Sequence, residues 1–236
     1  SNVTSMRKMF GGDYTINTVF NQDISNWDVS SVINMQEMFS YNTSFNQPLN
    51  DWNVSSVTNM IGLFNSSPFN QPLNNWDVSS VTNMGGLFGE SPFNQPLNNW
   101  DVSVVNAMQS MFQDNTSFNQ NISNWDVSGV TNMNYMFQSA TSFNQELNNW
   151  DVSNVTGMFA MFRSATSFNQ DISNWDVGNV NDMRFMFKDN TSFNQPLNDW
   201  NVSNVTSMRK MFAGVFSIDT VFNQDISNWD VGNVTD

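Results

Sequence analysis

The sequence predicts an α/β solenoid: a right-handed coil of about 25 residues per turn, with a parallel β-sheet on one side and short helical turns and loops on the other. The first observation behind this prediction is a fixed period, because a Trp opens the same phrase nine times at intervals that are mostly 24 or 25 residues. The second is that each phrase contains an alternating apolar pattern followed by apolar spacings of three and four. Units of this length bury their apolar faces only by stacking on one another.

The alternating pattern predicts a short strand in each unit. Trp76 and Val78 alternate with Asp77 and Ser79, so one face of the strand would be apolar and the other would face water. Stacking of successive units would place these strands side by side in a parallel sheet.

The second pattern predicts one or two turns of helix. Val81, Met84, Leu87 and Phe88 follow one another at spacings of three and four, which would align them on one helical face. The Asp or Ser just before this run could cap the helix. Gly, Asn, Ser and Pro then form a loop before the next apolar segment.

We predict that residues 1–236 form a single repeat array. Ser1–Phe10 and Ser203–Phe212 are identical, at an offset of 203 − 1 = 202 residues, or eight coils. This superperiod leads us to expect a fragment of a longer array, or a unit that meets its own copies end to end. The coils start near residues 1, 27, 52, 76, 100, 125, 150, 175, 200 and 229.

Composition disfavours several classes of function. The net charge is −14 and only seven residues are basic, so we expect no binding to nucleic acid, which requires clustered Lys and Arg. The chain has no His and no Cys, which removes the commonest general base and the commonest transition-metal ligands. Paired carboxylates can hydrolyse glycosides, but here they recur in identical settings, whereas catalysis needs one distinctive site. These observations lead us to expect that the chain is not an enzyme. No apolar run approaches the ~20 residues of a membrane span, so we expect no membrane insertion of this segment.

Two sets of columns are predicted to fill the core. All 16 Met residues fall in two columns on the same stripe as Val and Phe, which favours core packing over a promiscuous binding groove or a metal relay. The Trp column alternates in phase with Val, which favours a structural ladder over a sugar-binding platform. It consists of Trp27, Trp52, Trp76, Trp100, Trp125, Trp150, Trp175, Trp200 and Trp229.

The repeated phrase also resembles a known family. The unit W-D/N-V-S/G-x-V-x-x-M-x-x-M/L-F, followed by F-N-Q-x-L/I, covers the whole chain. L-x-x-W-x-V matches the strand signature of leucine-rich repeats, with Trp in place of the second Leu. The sequence resembles the BspA-like leucine-rich repeat surface proteins, also met as a mycoplasma lipoprotein repeat. The resemblance implies a leucine-rich-repeat-like fold and a bacterial-type cell-surface or secreted protein, often thought to serve in adhesion or host contact. It implies no agreed ligand and no catalytic residues.

We therefore expect a non-enzymatic extracellular or cell-surface repeat domain for adhesion or protein–protein interaction, whose partner is a protein or a host-surface ligand. The alternative is a structural stalk or filament-forming repeat that self-associates end to end.

The residue after each Trp is Asp in most units, so stacked repeats would form an Asp column of mutually repelling carboxylates. Two carboxylates ~5 Å apart repel by roughly 3 kcal/mol at an effective dielectric constant of about 20. Hydrogen bonds from the following Ser turn, shared protons, or a row of bridging Ca²⁺ ions would each relieve this repulsion. Asn53 and Asn201 interrupt the row, which weighs against calcium, and no other cofactor is expected. The calcium candidates are Asp77, Asp101, Asp126, Asp151 and Asp176.

The positions between the two Met columns vary most from unit to unit, so they are free to encode recognition. All seven basic residues lie between these columns or just after them, on the predicted helical side. Three aromatic residues from successive units could form an exposed stripe or pack over the ends of the Met columns. The candidates for partner binding are Ile61, Tyr135, Phe159, Arg184, Phe185, Arg209 and Lys210.

Overall fold

A computed structural model describes residues 2–214 and 220–236. In these residues successive repeats lie side by side, and backbone groups of each repeat are hydrogen-bonded to the next. A parallel bridge at the same position of each repeat, only one residue long on each side, sets the register, and a further parallel bridge joins Thr18 to Asn42. The chain of bridges runs Ser5, Asn34, Asn59, Asn83, Ala107, Asn132, Gly157, Asp182 and Ser207.

The predicted parallel sheet is wrong, because the described residues contain isolated bridges and no longer strand. The segment around Trp76 folds into turns instead of extending. Trp76 N–H donates to the Leu73 carbonyl at 3.0 Å, and Val81 N–H donates to the Val78 carbonyl at 2.9 Å. Each of these turns interrupts the extended run after two or three residues, so consecutive ladder bonds cannot form.

The predicted helical turns are also wrong, since residues 2–214 and 220–236 contain no helix and hence none that could span a membrane. Leu87 N–H donates to Met84 O, three residues back, at 3.2 Å. Gly86, between them, has a φ of +64°, which a right-handed helix does not allow. Its N–H donates across to Gln109 O of the next repeat at 2.8 Å. The apolar spacings of three and four therefore arise from successive turns. The predicted α/β solenoid, with its parallel sheet and helical turns, is wrong.

Stacked columns of apolar side chains form the core. Phe64 and Phe69 lie parallel within one repeat with ring centroids 4.0 Å apart, and Phe64 stacks on Phe88 of the next repeat at 5.9 Å. The Trp column from Trp52 to Trp200 is buried, and the Trp76 indole N–H donates to Leu49 O of the preceding repeat at 2.8 Å. Full burial of each such side chain contributes about 1.5–3 kcal/mol.

Amide side chains link the repeats at the Phe-Asn-Gln phrase. Asn70 N–H donates to Asn46 Oδ1 at 2.9 Å, and Asn94 N–H donates to Asn70 Oδ1 at the same distance. Gln95 Nε2 also donates to Asn70 Oδ1, at 3.2 Å. These bonds supply acceptors for backbone N–H groups where the chain turns.

Candidate functional site

The variable positions between the Met columns form one continuous surface, which we name the turn face. In each repeat the N–H of the second Met-column residue donates to the carbonyl of the first at 3.0–3.2 Å. The third residue of this turn has a φ between 52 and 64°, as in a type II turn. The two central residues therefore lie beside the Met columns, where most are exposed or half-buried and residues 62, 85 and 160 are buried. The turn face consists of residues 7–8, 36–37, 61–62, 85–86, 109–110, 134–135, 159–160, 184–185 and 209–210.

Backbone bonds hold the turn face in register. Tyr135 N–H donates to Phe159 O at 2.8 Å, and Ala160 N–H donates to Arg184 O at 2.9 Å. The same bond links Phe185 to Arg209 at 3.1 Å. Side chains at matching positions are thus fixed as neighbours by the backbone, which reduces the conformational entropy lost when a partner binds.

Tyr135, Phe159 and Phe185 form a cluster that we name the aromatic ridge. The Tyr135 and Phe159 ring centroids are 5.0 Å apart with planes at 65°, and those of Phe159 and Phe185 are 5.5 Å apart at 82°. Edge-to-face pairs of this kind are favourable by about 0.5–1.5 kcal/mol beyond area burial. All three rings are half-buried, so each contacts its neighbours and also presents a surface to solvent.

Two guanidinium groups border the ridge. The Arg184 guanidinium carbon lies 4.9 Å from the centroid of Phe159, and that of Arg163 lies 6.0 Å from the centroid of Phe185. Arg184 also donates from Nε and Nη2 to the Asp182 carboxylate, at 2.9 and 2.6 Å. These charge-assisted bonds to Asp182 raise the pKa of Arg184 above its ordinary value. The pair fixes Arg184 over the ridge with its charge largely compensated.

Toward the N-terminus the turn face becomes concave. Ile61, Gly62, Gly85 and Gly86 line a groove of about 340 Å³, which we name the glycine trough. Gly62 and Gly86 have no side chain at a turn position that elsewhere holds residues as large as Tyr135, and this opens the groove. The space above Gly85 is taken by the Gln109 side chain, whose Nε2 lies 2.4 Å from a Cβ built at Gly85. A groove of this size is within the range of ordinary ligand and side-chain pockets.

Polar groups border the glycine trough at both ends. At one end Lys8 Nζ lies 2.8 Å from Glu37 Oε2. Burial opposes ionisation of Glu37, but hydrogen bonds from Lys8 and Gln36 outweigh it and hold the pKa of this carboxyl below its usual value. At the other end Gln109 Oε1 is buried without a hydrogen-bond partner among the described residues. The trough thus combines an apolar floor with polar ends.

The Asp column is satisfied locally at one oxygen of each residue. Asp101 Oδ1 accepts from Ser103 Oγ at 2.6 Å and from Ser103 N–H at 3.0 Å. These two bonds lower the pKa of Asp101, and the corresponding bonds from Ser153 lower that of Asp151. The turn-forming Asn residues of the same column accept in the same way. Within residues 2–214 and 220–236 no group of three or more acidic side chains is placed to hold a metal ion, and the calcium row remains a prediction.

The structure groups the predicted partner-binding residues into three parts of one surface. Tyr135, Phe159, Arg184 and Phe185 lie together in or beside the aromatic ridge, and Ile61 lies in the glycine trough. The remaining two candidates, residues 209 and 210, are exposed in the repeat beyond the ridge.

Sequence reasoning missed three features of this surface. The contacts of Arg163 and Asp182 were not foreseen, although both residues occupy positions that the period aligns with the ridge. The trough was missed too, although Gly62, Gly85 and Gly86 share neighbouring columns. An ion pair between Lys188 and Asp189, whose side chains are 13% and 11% exposed, also lies in the loop after the turn face.

Stacked turns, a core of repeated columns and a variable outer face define a tandem-repeat protein. The chain belongs to the family described as "Mycoplasma protein of unknown function, DUF285", which matches it three times in overlapping segments, at residues 1–92, 65–165 and 145–236. A comparison with curated proteins finds no match. The family match confirms that the chain is built from repeats and that these repeats are of the mycoplasma type.

Proposed function

We propose that this chain is a non-enzymatic repeat domain of an extracellular or cell-surface protein, and that it binds another protein through the turn face. The proposal extends the resemblance to BspA-like surface proteins. One observation carries it: the highly variable turn face holds a half-buried aromatic ridge bordered by two guanidinium groups. Aromatic residues and Arg dominate the energetically important centres of protein interfaces.

The ridge has the physical properties of such a centre. Its rings are held by edge-to-face contacts and by backbone bonds between repeats, so little side-chain freedom is lost on binding. The charge of Arg184 is compensated by Asp182, which lowers the cost of removing the guanidinium from water. The scaffold beneath consists of repeated columns, and the information for a partner lies in the turn face.

An adhesion assay tests this proposal. Beads coated with the chain would be applied to cultured epithelial cells with and without prior trypsin treatment, and compared with beads carrying Phe159→Ala and Arg184→Ala together. We expect trypsin-sensitive binding that falls at least about tenfold in the double variant. The matched control is Val104→Ala, which shortens a 48% exposed apolar side chain outside the turn face. Equal binding by the double variant and the wild type would refute the role of the ridge.

The second candidate function is a stalk or filament that associates end to end. Met9 is 51% exposed and Trp27 is 37% exposed, and with Met6 they line a groove of about 480 Å³. The copy of this segment at 204–212 packs against the preceding repeat, where Phe212 stacks on Phe187 at 5.7 Å. The surface at Met9 therefore has the shape that accepts a repeat of the same kind.

Electron microscopy across a concentration series distinguishes this candidate from the first. End-to-end stacking predicts linear particles that lengthen with concentration and are abolished by Met9→Glu. Particles of constant length at every concentration would exclude it.

A further inference from the structure

We propose that the aromatic ridge and the basic side chains around it form a binding site for an acidic segment of another protein, in which one large apolar side chain stands between carboxylates. This inference rests on the proposed function, which makes the turn face a protein-binding surface, and it names the chemistry of the partner. The combination of positive charge and apolar surface around Phe185 carries it.

Basic residues are concentrated at one end of the turn face. Residues 9–162 contain no Lys or Arg, whereas five of the seven basic residues of the chain fall within residues 163–210. In a chain whose net charge is −14, a cluster of this kind attracts anions that the rest of the surface repels. The five residues are Arg163, Arg184, Lys188, Arg209 and Lys210.

Few carboxylates oppose this cluster. Asp182 pairs with Arg184 at 2.6 Å, and Asp189 pairs with Lys188. The charges of both acids are therefore compensated by neighbours within their own repeat. They are the only two acidic residues in the turn and loop segments around the ridge, which are residues 127–143, 152–168, 177–193 and 202–214.

Three of the basic side chains form no ion pair within residues 2–214 and 220–236, namely Arg163, Arg209 and Lys210. One further carboxylate, that of Asp236, acts on Arg184 from a longer distance. Five positive and three negative charges thus leave an excess of two positive charges at the ridge. A carboxylate that approaches here gains Coulombic attraction, whose strength depends on the salt concentration.

Phe185 lies among these charges. The Arg163 guanidinium carbon is 6.0 Å from its ring centroid, and its backbone N–H donates to Arg209 O of the next repeat at 3.1 Å. Lys210 occupies in that next repeat the position that Phe185 occupies in its own. The half-buried ring also packs on Phe159 of the preceding repeat, so an apolar surface is bordered by cations on two sides.

The spacing of the repeats fits an extended peptide. Successive repeats are 5.7 Å apart at the Phe187–Phe212 stack. Two residues of extended chain span ~6.6 Å, so a carboxylate two residues from an apolar anchor on Phe185 comes within side-chain reach of Arg209 and Lys210. A carboxylate on the other side of the anchor comes within reach of Arg163, in the preceding repeat. The complementary segment therefore has an acid, an apolar anchor and an acid, with one residue between neighbours.

The same features favour a protein segment over a sulfated polysaccharide. Arg184 already donates from Nε and Nη2 to the Asp182 carboxylate, so its guanidinium is not free to bind a sulfate in a bidentate manner. The rings of the ridge offer a sulfate no partner, whereas a large apolar side chain is stabilised when it leaves water on such a surface.

Fluorescence anisotropy of a labelled peptide titrated with the full chain is the first measurement. The probe carries a central Leu with an Asp two residues away on either side and Gly between them. We expect a dissociation constant of about 10–500 µM. Replacing the Leu by Ser, or both Asp by Asn, should weaken binding at least about fivefold. The affinity should also fall at about 500 mM NaCl, because salt screens exposed charges.

Two variants in identical local sequences then test the charge. Arg7 and Arg209 lie in the identical segments Ser1–Phe10 and Ser203–Phe212, and both are exposed. Arg209→Glu should weaken binding of the acidic peptide at least about fivefold. Arg7→Glu makes the same change in net charge far from the ridge, and should leave the affinity within about twofold of the wild type.

A third variant tests the apolar anchor. Phe185→Ala should remove the preference for the Leu peptide over the Ser peptide, because the surface on which the Leu packs is lost. Near-UV circular dichroism and the melting temperature verify that each variant is folded.

Failure of the wild type to bind the acidic peptide overturns the inference, as does binding that ignores the Leu or that Arg7→Glu and Arg209→Glu weaken equally. Binding of heparin that Arg209→Glu abolishes, without binding of the peptide, would overturn it in favour of a sulfated polysaccharide. Cell binding that depends on the ridge but is not reduced by excess peptide would reject the acidic partner while supporting the proposed function. Peptide binding with the expected pattern, together with cell binding that ignores the ridge, would reject the adhesion role while supporting the acidic partner.

Discussion

The left-handed residue of each turn gives a prediction whose magnitude follows from the geometry. Gly86→Ala places a Cβ at a φ of +64°, and the nearest atom to that Cβ, Gly62 Cα, is 3.9 Å away. No clash accompanies the substitution, so the backbone cost is isolated. A left-handed L-residue costs roughly 1–2 kcal/mol, and the lower entropy of Ala in the unfolded chain offsets about 0.4–1 kcal/mol. We expect Gly86→Ala to lower the free energy of unfolding by about 1 kcal/mol.

The reciprocal change supplies the control. Ser110 occupies the equivalent turn position at a φ of 58°, so Ser110→Gly should raise the free energy of unfolding by a similar amount. Urea denaturation followed by circular dichroism measures both, and the melting temperature should move by about 2–4 °C in opposite directions. The reasoning is refuted if Gly86→Ala is neutral or stabilising while Ser110→Gly is destabilising.

Three further predictions concern the core and the Asp column. Trp125→Phe removes the indole N–H that donates to Leu97 O at 3.1 Å, while this carbonyl keeps its bond from Trp100 N–H at 3.2 Å. The lost hydrogen bond and the cavity should together cost about 2–4 kcal/mol of unfolding free energy in urea titrations; a loss below ~1 kcal/mol would contradict this. Because the pKa of Asp101 is lowered in the folded state, its stabilisation is present above its unfolded pKa of about 3.9 and is lost as the pH falls through the folded value. The advantage of the wild type over Asp101→Asn should therefore disappear under acid, and an advantage that grows as the pH falls would be inconsistent with the Ser103 bonds. Since the Ser103 bonds already satisfy one carboxylate oxygen, we expect a chelator to leave the melting temperature unchanged. A melting temperature that falls on adding chelator, together with bound calcium found by elemental analysis, would establish the calcium row.

The period and its apolar columns could be read directly from the sequence, since each apolar column of the phrase is buried in the structure apart from its outermost members, such as Met9 and Trp27. The secondary structure could not be read in the same way. Val81, Met84 and Leu87 have the spacing of a helix, but the same spacing results from turns that return the chain to the core every three residues. The deciding quantity is the sign of φ at the residue before Leu87, and apolar periodicity carries no information about it.

Part of the candidate site could also be predicted from the sequence. Variability singled out Tyr135, Phe159 and Phe185 because the repeat does not dictate those positions. Their edge-to-face geometry, and the position of Arg163 beside the last ring, depend on rotamers and on the exact stacking of neighbouring repeats. The sequence did not indicate the glycine trough, because the groove forms where side chains are absent. A search for chemically functional side chains does not consider Gly.

Backbone bonding between repeats has a mechanical consequence. The turn N–H groups of each repeat, such as Glu37 N–H bonded to Ile61 O at 2.7 Å, find their acceptors in the following repeat. Under tension applied at the two ends, the outermost repeat can detach without disturbing those further in. Each detachment frees 24 or 25 residues in the inner repeats and 29 in the outermost ones, or about 80–100 Å of extended chain. An array built in this way lengthens in steps of similar size under load, and a detached repeat can rebind to the template that its neighbour still presents.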